Sequence, residues 1–269
     1  MKKIFLIVSS FLVITAVAQT SKPTNSFVNE KSKIGLDAKV DTTINKFDAK
    51  GNKTGLWKEK KEAFEFEGYY ANGLKQGMWT SYFPDGVVQS IDNYVYGKLN
   101  GSSIQLKQGG MLKVQARYKN DILDGLYREF NGSRADKEMT YKDGKLNGAK
   151  RIFYMNGKIM EEGDFINSQR NGLTKWFTEE GKISLEYNYV NGSLEGIQKS
   201  YYKDGLLNSE TTYKNNFMEG QYNEFFEDGK TLKLSGNYSN DKKNGLWKEY
   251  DKDGKVVKTE KFKDDLLIK

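Results

Sequence analysis

The sequence predicts an all-β fold: an elongated, single-layer antiparallel β-meander of about nine β-hairpin repeats, each 22–25 residues long. Three observations predict it. Glycines recur at a nearly constant interval, turn-forming pairs precede a second set of glycines, and aromatic residues hold fixed places between them. The chain has 27 glycines and only 2 prolines, a balance that suits many sharp turns between paired strands.

Each repeat opens on a glycine, and successive opening glycines are separated by 22 to 25 residues. The opening glycines are Gly55, Gly77, Gly101, Gly125, Gly148, Gly172, Gly196, Gly220 and Gly245. A fixed period of this length is the signature of a repeat architecture. The 269 residues therefore do not imply one large packed core.

Each repeat is predicted to be a hairpin, because a second glycine follows the first by nine residues in seven of the nine repeats. A turn former precedes it, as in Asp85-Gly86 and Asn156-Gly157, and such pairs tolerate the positive φ of tight hairpin turns. An aromatic or large apolar residue usually lies five places after the opening glycine, and a second aromatic ends the returning strand. These two rows are interpreted as the core.

The pattern resembles the MORN-repeat variant family of exported bacterial proteins. The segments that carry the resemblance include GMWTSYFPDG, GAKRIFYMNGK, GLTKWFTEEGK and GLWKEYDKDGK. The resemblance covers Phe47 to Lys269 and implies a single twisted sheet without implying a particular function. The third repeat departs from the pattern at Ser103 and Ile104, and the fourth has an irregular Asn131–Arg134 turn that predicts a bulge or longer loop near Asn131.

The amino terminus predicts export. Lys2 and Lys3 precede an apolar run from Ile4 to Val17, and small residues end at Ala18. This run is shorter than the roughly 20 residues of a membrane-spanning helix. Residues 1–18 are predicted to be a cleaved signal peptide, 19–46 a polar linker or degenerate first repeat, and 47–269 the repeat domain. The mature protein is then not transmembrane and resides in the periplasm, at the cell surface or in the medium.

Composition argues against most enzyme classes. The chain has no Cys and no His, so the thiolate nucleophile, the commonest general base and the usual zinc ligands are missing. We predict no catalytic residues, metal or cofactor. The formal charge of +7 falls to +5 without Lys2 and Lys3, which is too small a bias for a nucleic-acid partner.

A cation often lies three residues after the opening glycine, and stacked strands would align these side chains into a ladder. The candidate surface-binding cations are Lys58, Arg128, Arg151, Lys175, Lys199 and Lys248. With the predicted turn, Arg151, Lys175 and Lys199 lie opposite Glu162, Glu186 and Glu210, which would neutralise much of the ladder. Lys248 lies opposite Thr259 and lacks such a partner.

Tryptophan offers a large flat face with a polar handle, so the aromatic rows could also form a stacking surface. Core packing is the preferred interpretation of these rows. Trp57 and Trp247 lie near the two ends of the array and are the more plausible caps or surface contacts.

The sequence thus predicts an exported, non-enzymatic repeat scaffold whose extended sheet binds a protein partner through many weak contacts. Binding of anionic lipid or glycan by the Lys/Arg ladder is the alternative. The family resemblance also implies an antitoxin-like role as a weaker alternative, which conflicts with export.

Overall fold

The computed structural model describes residues 43–268, which form one antiparallel sheet of 23 strands with no helix. Strands pair in chain order, so the sheet is a meander, as predicted. The first eleven strands are β1 Lys46–Phe47, β2 Lys53–Lys61, β3 Phe64–Ala71, β4 Leu74–Tyr82, β5 Val88–Val95, β6 Lys98–Leu106, β7 Leu112–Lys119, β8 Ile122–Leu123, β9 Gly125–Asn131, β10 Arg134–Lys142 and β11 Lys145–Phe153. The remaining strands are β12 Ile159–Ile166, β13 Gln169–Arg170, β14 Gly172–Phe177, β15 Ile183–Val190, β16 Ser193–Leu194, β17 Gly196–Tyr201, β18 Leu207–Lys214, β19 Phe217–Phe225, β20 Leu232–Ser239, β21 Lys242–Tyr250, β22 Val256–Lys263 and β23 Leu266–Ile268.

The predicted signal peptide and residues 19–42 of the predicted linker lie outside the described residues. In the part of the linker that is described, β1 begins at Lys46 and pairs with β2. From residue 43 to residue 268, the chain has no helix long and apolar enough to cross a membrane.

The opening glycines interrupt the strands with a left-handed backbone. Gly148 has φ +109° and Gly245 has φ +83°, and they lie opposite the closing aromatics Phe165 and Phe262. A Cβ at Gly245 would meet no atom within 4 Å, so backbone conformation and not space requires glycine there. The glycine period in the sequence therefore reflects a backbone position with positive φ that recurs once in every repeat.

Two kinds of turn alternate along the meander. The turns between hairpins have two residues with positive φ, such as Asn191 (49°) and Gly192 (85°), as in type I′ turns. In internal turns with an Asn-Gly or Asp-Gly pair, only the glycine of the pair has positive φ: Gly157 donates to the Tyr154 carbonyl at 2.8 Å, while Asn156 Oδ1 accepts from the Lys158 amide. These internal turns form where the sequence predicts them, although only one residue of each pair adopts the positive φ that both tolerate. The irregular fourth repeat turns tightly between Asn131 and Arg134, with the predicted bulge displaced to Asp136.

The two faces of the sheet differ in packing. Strand alternation and register place every buried side chain of residues 43–268 on one face, which we call the packed face. Its buried residues other than glycine are Trp57, Tyr70, Trp79, Ser81, Ser103, Val114, Ala116, Glu161, Phe165, Thr174, Gln198 and Trp247. The opposite face, which carries the cation ladder, is called the open face.

The aromatic rows divide between these faces. Closing aromatics such as Tyr70 and Phe165 are buried on the packed face. The row five residues after the opening glycine lies on the open face, where Tyr201 donates to Glu186 Oε2 at 2.7 Å and Tyr250 contacts Ser235 Oγ at 3.0 Å. Placing Tyr250 in the same core row as the closing aromatics was wrong, because residues three and five places after the glycine share a face.

Burial of tyrosine predicts loss of stability at alkaline pH. Burial, and secondarily the neighbouring carboxylates Glu129 and Glu224, raises the pKa of Tyr127 and that of Tyr222 from 10.0 to about 12. Because the folded pKa is the higher one, their contribution is fully present below about pH 10 and is lost as pH rises through about 12. Circular dichroism and tyrosinate absorbance should report cooperative unfolding in this range.

Two phenylalanine substitutions check this assignment. The Tyr127→Phe, Tyr222→Phe variant should keep its fold to higher pH than the unmodified protein, because neither ring can ionise. An unchanged alkaline midpoint in that variant would contradict the assignment.

Candidate functional site

The open face holds the predicted cation ladder, with the predicted cross-strand partners. The three predicted pairs form, with Arg151–Glu162 at 3.7 Å, Lys175–Glu186 at 3.4 Å and Lys199–Glu210 at 3.0 Å. Each is also a register pair of its hairpin. Two further ladder cations are paired, with Lys58–Glu67 at 3.2 Å and Arg128–Glu138 at 2.8 Å.

The middle of this ladder is an uninterrupted row of alternating charge. Between hairpins, the register places Glu138 opposite Arg151, Glu162 opposite Lys175 and Glu186 opposite Lys199. From Arg128 to Glu210 each cation is therefore followed by an anion on the next long strand, and the row has no net charge. Such a row stabilises the register of the strands and offers no excess attraction to an anionic surface.

Lys248 differs from the other ladder cations. It lies opposite Thr259 in its hairpin, as predicted, and opposite Ser235 on the preceding strand. Its side chain is exposed and forms no ion pair with any residue in the described range. The last hairpin thus bears an unbalanced positive charge at the ladder position.

Trp57 and Trp247 do not lie on a binding surface. Only 7% of Trp57 and 3% of Trp247 is exposed. Their indole N–H groups donate to the Thr54 and Asn237 carbonyls at 3.0 and 3.2 Å. Both side chains therefore support the core interpretation, and the surface-contact interpretation is corrected.

Cations also cover the packed face, two residues before the opening glycine. The ammonium groups of Lys75 and Lys243 lie 4.1 and 4.4 Å from the ring centroids of Trp79 and Trp247. The Arg170 guanidinium lies over Phe165 at 5.2 Å. Sequence reasoning missed this row because its other members are Leu or Met. The signal was one repeat position that holds either Lys or Arg, or a long apolar residue, in every repeat.

An apolar row on the open face was also missed. It occupies the position directly after the opening glycine, beside the cation ladder. Its exposed members are Met78 (66%), Leu126 (39%), Leu173 (44%), Ile197 (54%) and Leu246 (53%). The signal in the sequence was an aliphatic residue directly after the opening glycine in most repeats. It was not recognised, because the sequence does not show whether that position faces the packed or the open side of the sheet.

Within 43–268, no three His, Cys, Asp or Glu side chains come together as a possible metal site. The open face thus presents a repeated row of apolar side chains beside paired charges.

The fold and the open face define a class: an open-sheet repeat protein built from one hairpin per repeat. Comparison with family models adds the family. The MORN repeat variant matches residues 75–96, 170–191, 194–215 and 243–264, each match beginning two residues before an opening glycine. Four repeats of the chain therefore match the MORN-repeat family, which supports the resemblance seen in the sequence. No curated protein matches the chain.

Proposed function

We propose that the protein is an exported, non-enzymatic repeat scaffold that binds a partner protein on its open face. The observation that carries the proposal is the exposed apolar row at one repeat position. Asn188 and Thr212 lie opposite Leu173 and Ile197, so the row offers regularly spaced apolar contacts on every second long strand instead of one continuous patch. A regular spacing distinguishes this row from apolar side chains scattered singly over a surface. Export is proposed from the signal-like residues 1–18, and mass spectrometry of the envelope fraction checks it by the loss of those residues.

The geometry of the row supports binding through many weak contacts. Leu173 and Ile197 lie on β14 and β17, with paired charges beside them at Lys175 and Lys199. Apolar contacts inside a polar rim are the usual composition of a protein–protein interface. Because the same arrangement repeats along the sheet, a partner could engage several hairpins at once and gain affinity from their number.

Site-specific photocrosslinking tests the proposed surface. A photoreactive side chain at Leu173 or Ile197 should crosslink one defined partner in the native envelope, whereas one at Met155 should not. Met155 is a matched control because it is 75% exposed but lies in a hairpin turn. The Leu173→Asp, Ile197→Asp variant should no longer capture that partner, and undiminished capture would contradict the proposal.

Anionic vesicles separate this proposal from the lipid alternative. Because the ladder is neutral from Arg128 to Glu210, the wild-type protein should not pellet with vesicles rich in anionic lipid. The Glu162→Lys, Glu186→Lys, Glu210→Lys variant should pellet, and salt should release it. Salt-sensitive pelleting of the wild type, lost on reversing Arg151, Lys175 and Lys199, would favour lipid binding instead.

A further inference from the structure

The packed face contains a polar cavity that the proposed function does not use. It lies across β4 to β7, has a volume of about 530 Å³, and falls within the size range of small-molecule sites. We call it the polar pocket; its lining includes Phe83, Gln89, Ser90, Asp92, Gln105, Lys107 and Lys113.

The pocket exists because small residues replace aromatic ones. Two residues after the opening glycine, the first and second repeats have Trp57 and Trp79, but the third has Ser103. The register places Trp79, Asp92, Ser103 and Ala116 in one cross-strand row. Its neighbouring row is Ser81, Ser90, Gln105 and Val114. Beyond Trp79, neither row has an aromatic side chain to fill the space above the sheet.

A fixed hydrogen-bond network forms the floor of the pocket. Asp92 accepts from Ser90 Oγ at 2.7 Å with one carboxylate oxygen and from Ser103 Oγ at 2.6 Å with the other. Because Ser90 donates its hydroxyl hydrogen to Asp92, Ser81 Oγ donates to Ser90 Oγ at 2.8 Å, and Gln89 Oε1 lies 3.3 Å from Ser81 Oγ. These contacts hold the polar atoms in place before any ligand arrives, which lowers the entropic cost of binding.

Two glutamine amides are left with unused hydrogen-bonding capacity. Within the described residues, the Gln105 amide makes no hydrogen bond to protein and Gln89 uses only its oxygen. Gln105 lies beside Ser90 in the register, and Gln89 is the additional residue at the adjacent bulge. The pocket thus offers free amide donors next to an ordered carboxylate and hydroxyls.

We propose that the polar pocket binds a saccharide of one or two rings. Sugar hydroxyls are both donors and acceptors, which matches a wall of amides, serine hydroxyls and a carboxylate. The Phe83 ring offers an apolar surface for the C–H face of a sugar. An anion is disfavoured on the floor, because the Asp92 carboxylate lies there, although Lys107 and Lys113 can receive a carboxylate carried by an acidic sugar.

Nuclear magnetic resonance titration with three disaccharides tests the proposal: maltose, cellobiose and digalacturonate. We expect at least one to give saturable shifts of the Gln89 and Gln105 side-chain amide signals below about 10 mM, since such affinities are weak but measurable. Salt-sensitive binding of digalacturonate alone would support an acidic saccharide held by the two lysines. The absence of saturable shifts with all three sugars would overturn the proposal.

Matched variants locate the site. Gln105→Leu and, separately, Gln89→Leu should each weaken binding about tenfold, since each loses a hydrogen bond from the pocket while keeping the side-chain size. Gln115→Leu is the control, because Gln115 lies on the neighbouring strand β7 opposite the open-face residue Ile104. Equal effects of all three substitutions would show that the sugars bind elsewhere and refute the proposed pocket.

Discussion

Replacing Trp79 by alanine is expected to lower the free energy of unfolding by about 3–5 kcal/mol, the range for large buried aromatic side chains. Trp79 is 3% exposed, and its ring lies 4.9 Å from that of Tyr70. Its N–H donates to the Tyr69 carbonyl, and Lys75 covers its outer side. One substitution therefore removes the centre of a cluster that spans three strands. Urea unfolding followed by circular dichroism measures the loss.

The adjacent residue provides the control for this prediction. Met78→Ala changes a side chain that is 66% exposed on the open face, so we expect a change within about 0.5 kcal/mol. Because each hairpin contacts only its neighbours, hydrogen exchange should increase most in β2 to β5 after Trp79 is removed. Similar losses for Trp79→Ala and Met78→Ala would contradict the assignment of the packed face.

Gly236→Ala is expected to destabilise the protein by about 3 kcal/mol, at the upper end of the range for overpacking. Gly236 does not have a left-handed backbone, so strain in φ is not the reason. A Cβ at this position would overlap the ring carbons of Trp247, which lies flat against the glycine. The effect is therefore steric and depends on the indole.

A double-mutant cycle separates this explanation from a loss of backbone flexibility. Trp247→Leu alone should be destabilising, but adding Gly236→Ala to that variant should cost little further, because the overlapping ring is gone. The coupling free energy from urea unfolding should then be close to the cost of Gly236→Ala alone. Additive losses would mean that the clash with Trp247 is not the cause.

The turns and the charge pairs across them were predictable from the sequence. The opening glycines and turn pairs recur because the backbone needs positive φ at fixed places, so they were visible as a period. The partners of Arg151, Lys175 and Lys199 followed from counting residues across the turn. Both inferences depend on local geometry, which a repeating sequence records directly.

Which residues share a face was harder to predict. Tyr250 and Phe262 are both aromatic and both occupy fixed repeat positions, yet they lie on opposite faces, because Phe262 lies opposite Gly245 and Tyr250 is an odd number of residues, five, after Gly245. Trp57 and Trp247 resembled exposed end contacts, but Lys53 and Lys243 cover them. Leu173 and Ile197 follow their opening glycines by one residue and lie on the open face, whereas Trp57 and Trp247 follow theirs by two residues and lie on the packed face.

The sequence by itself determined the architecture of this protein: the number of repeats, the meander of hairpins and the pairing of three of the six ladder cations. It could do so because turns and neighbouring strands involve residues close together in the chain. Only the tertiary structure decided which face is packed, that the ladder is neutral across successive hairpins, and that small residues leave a polar pocket. Those properties depend on contacts between side chains of different repeats. Which side chains meet is set by the register between strands, and a bulge changes that register at most strand pairs.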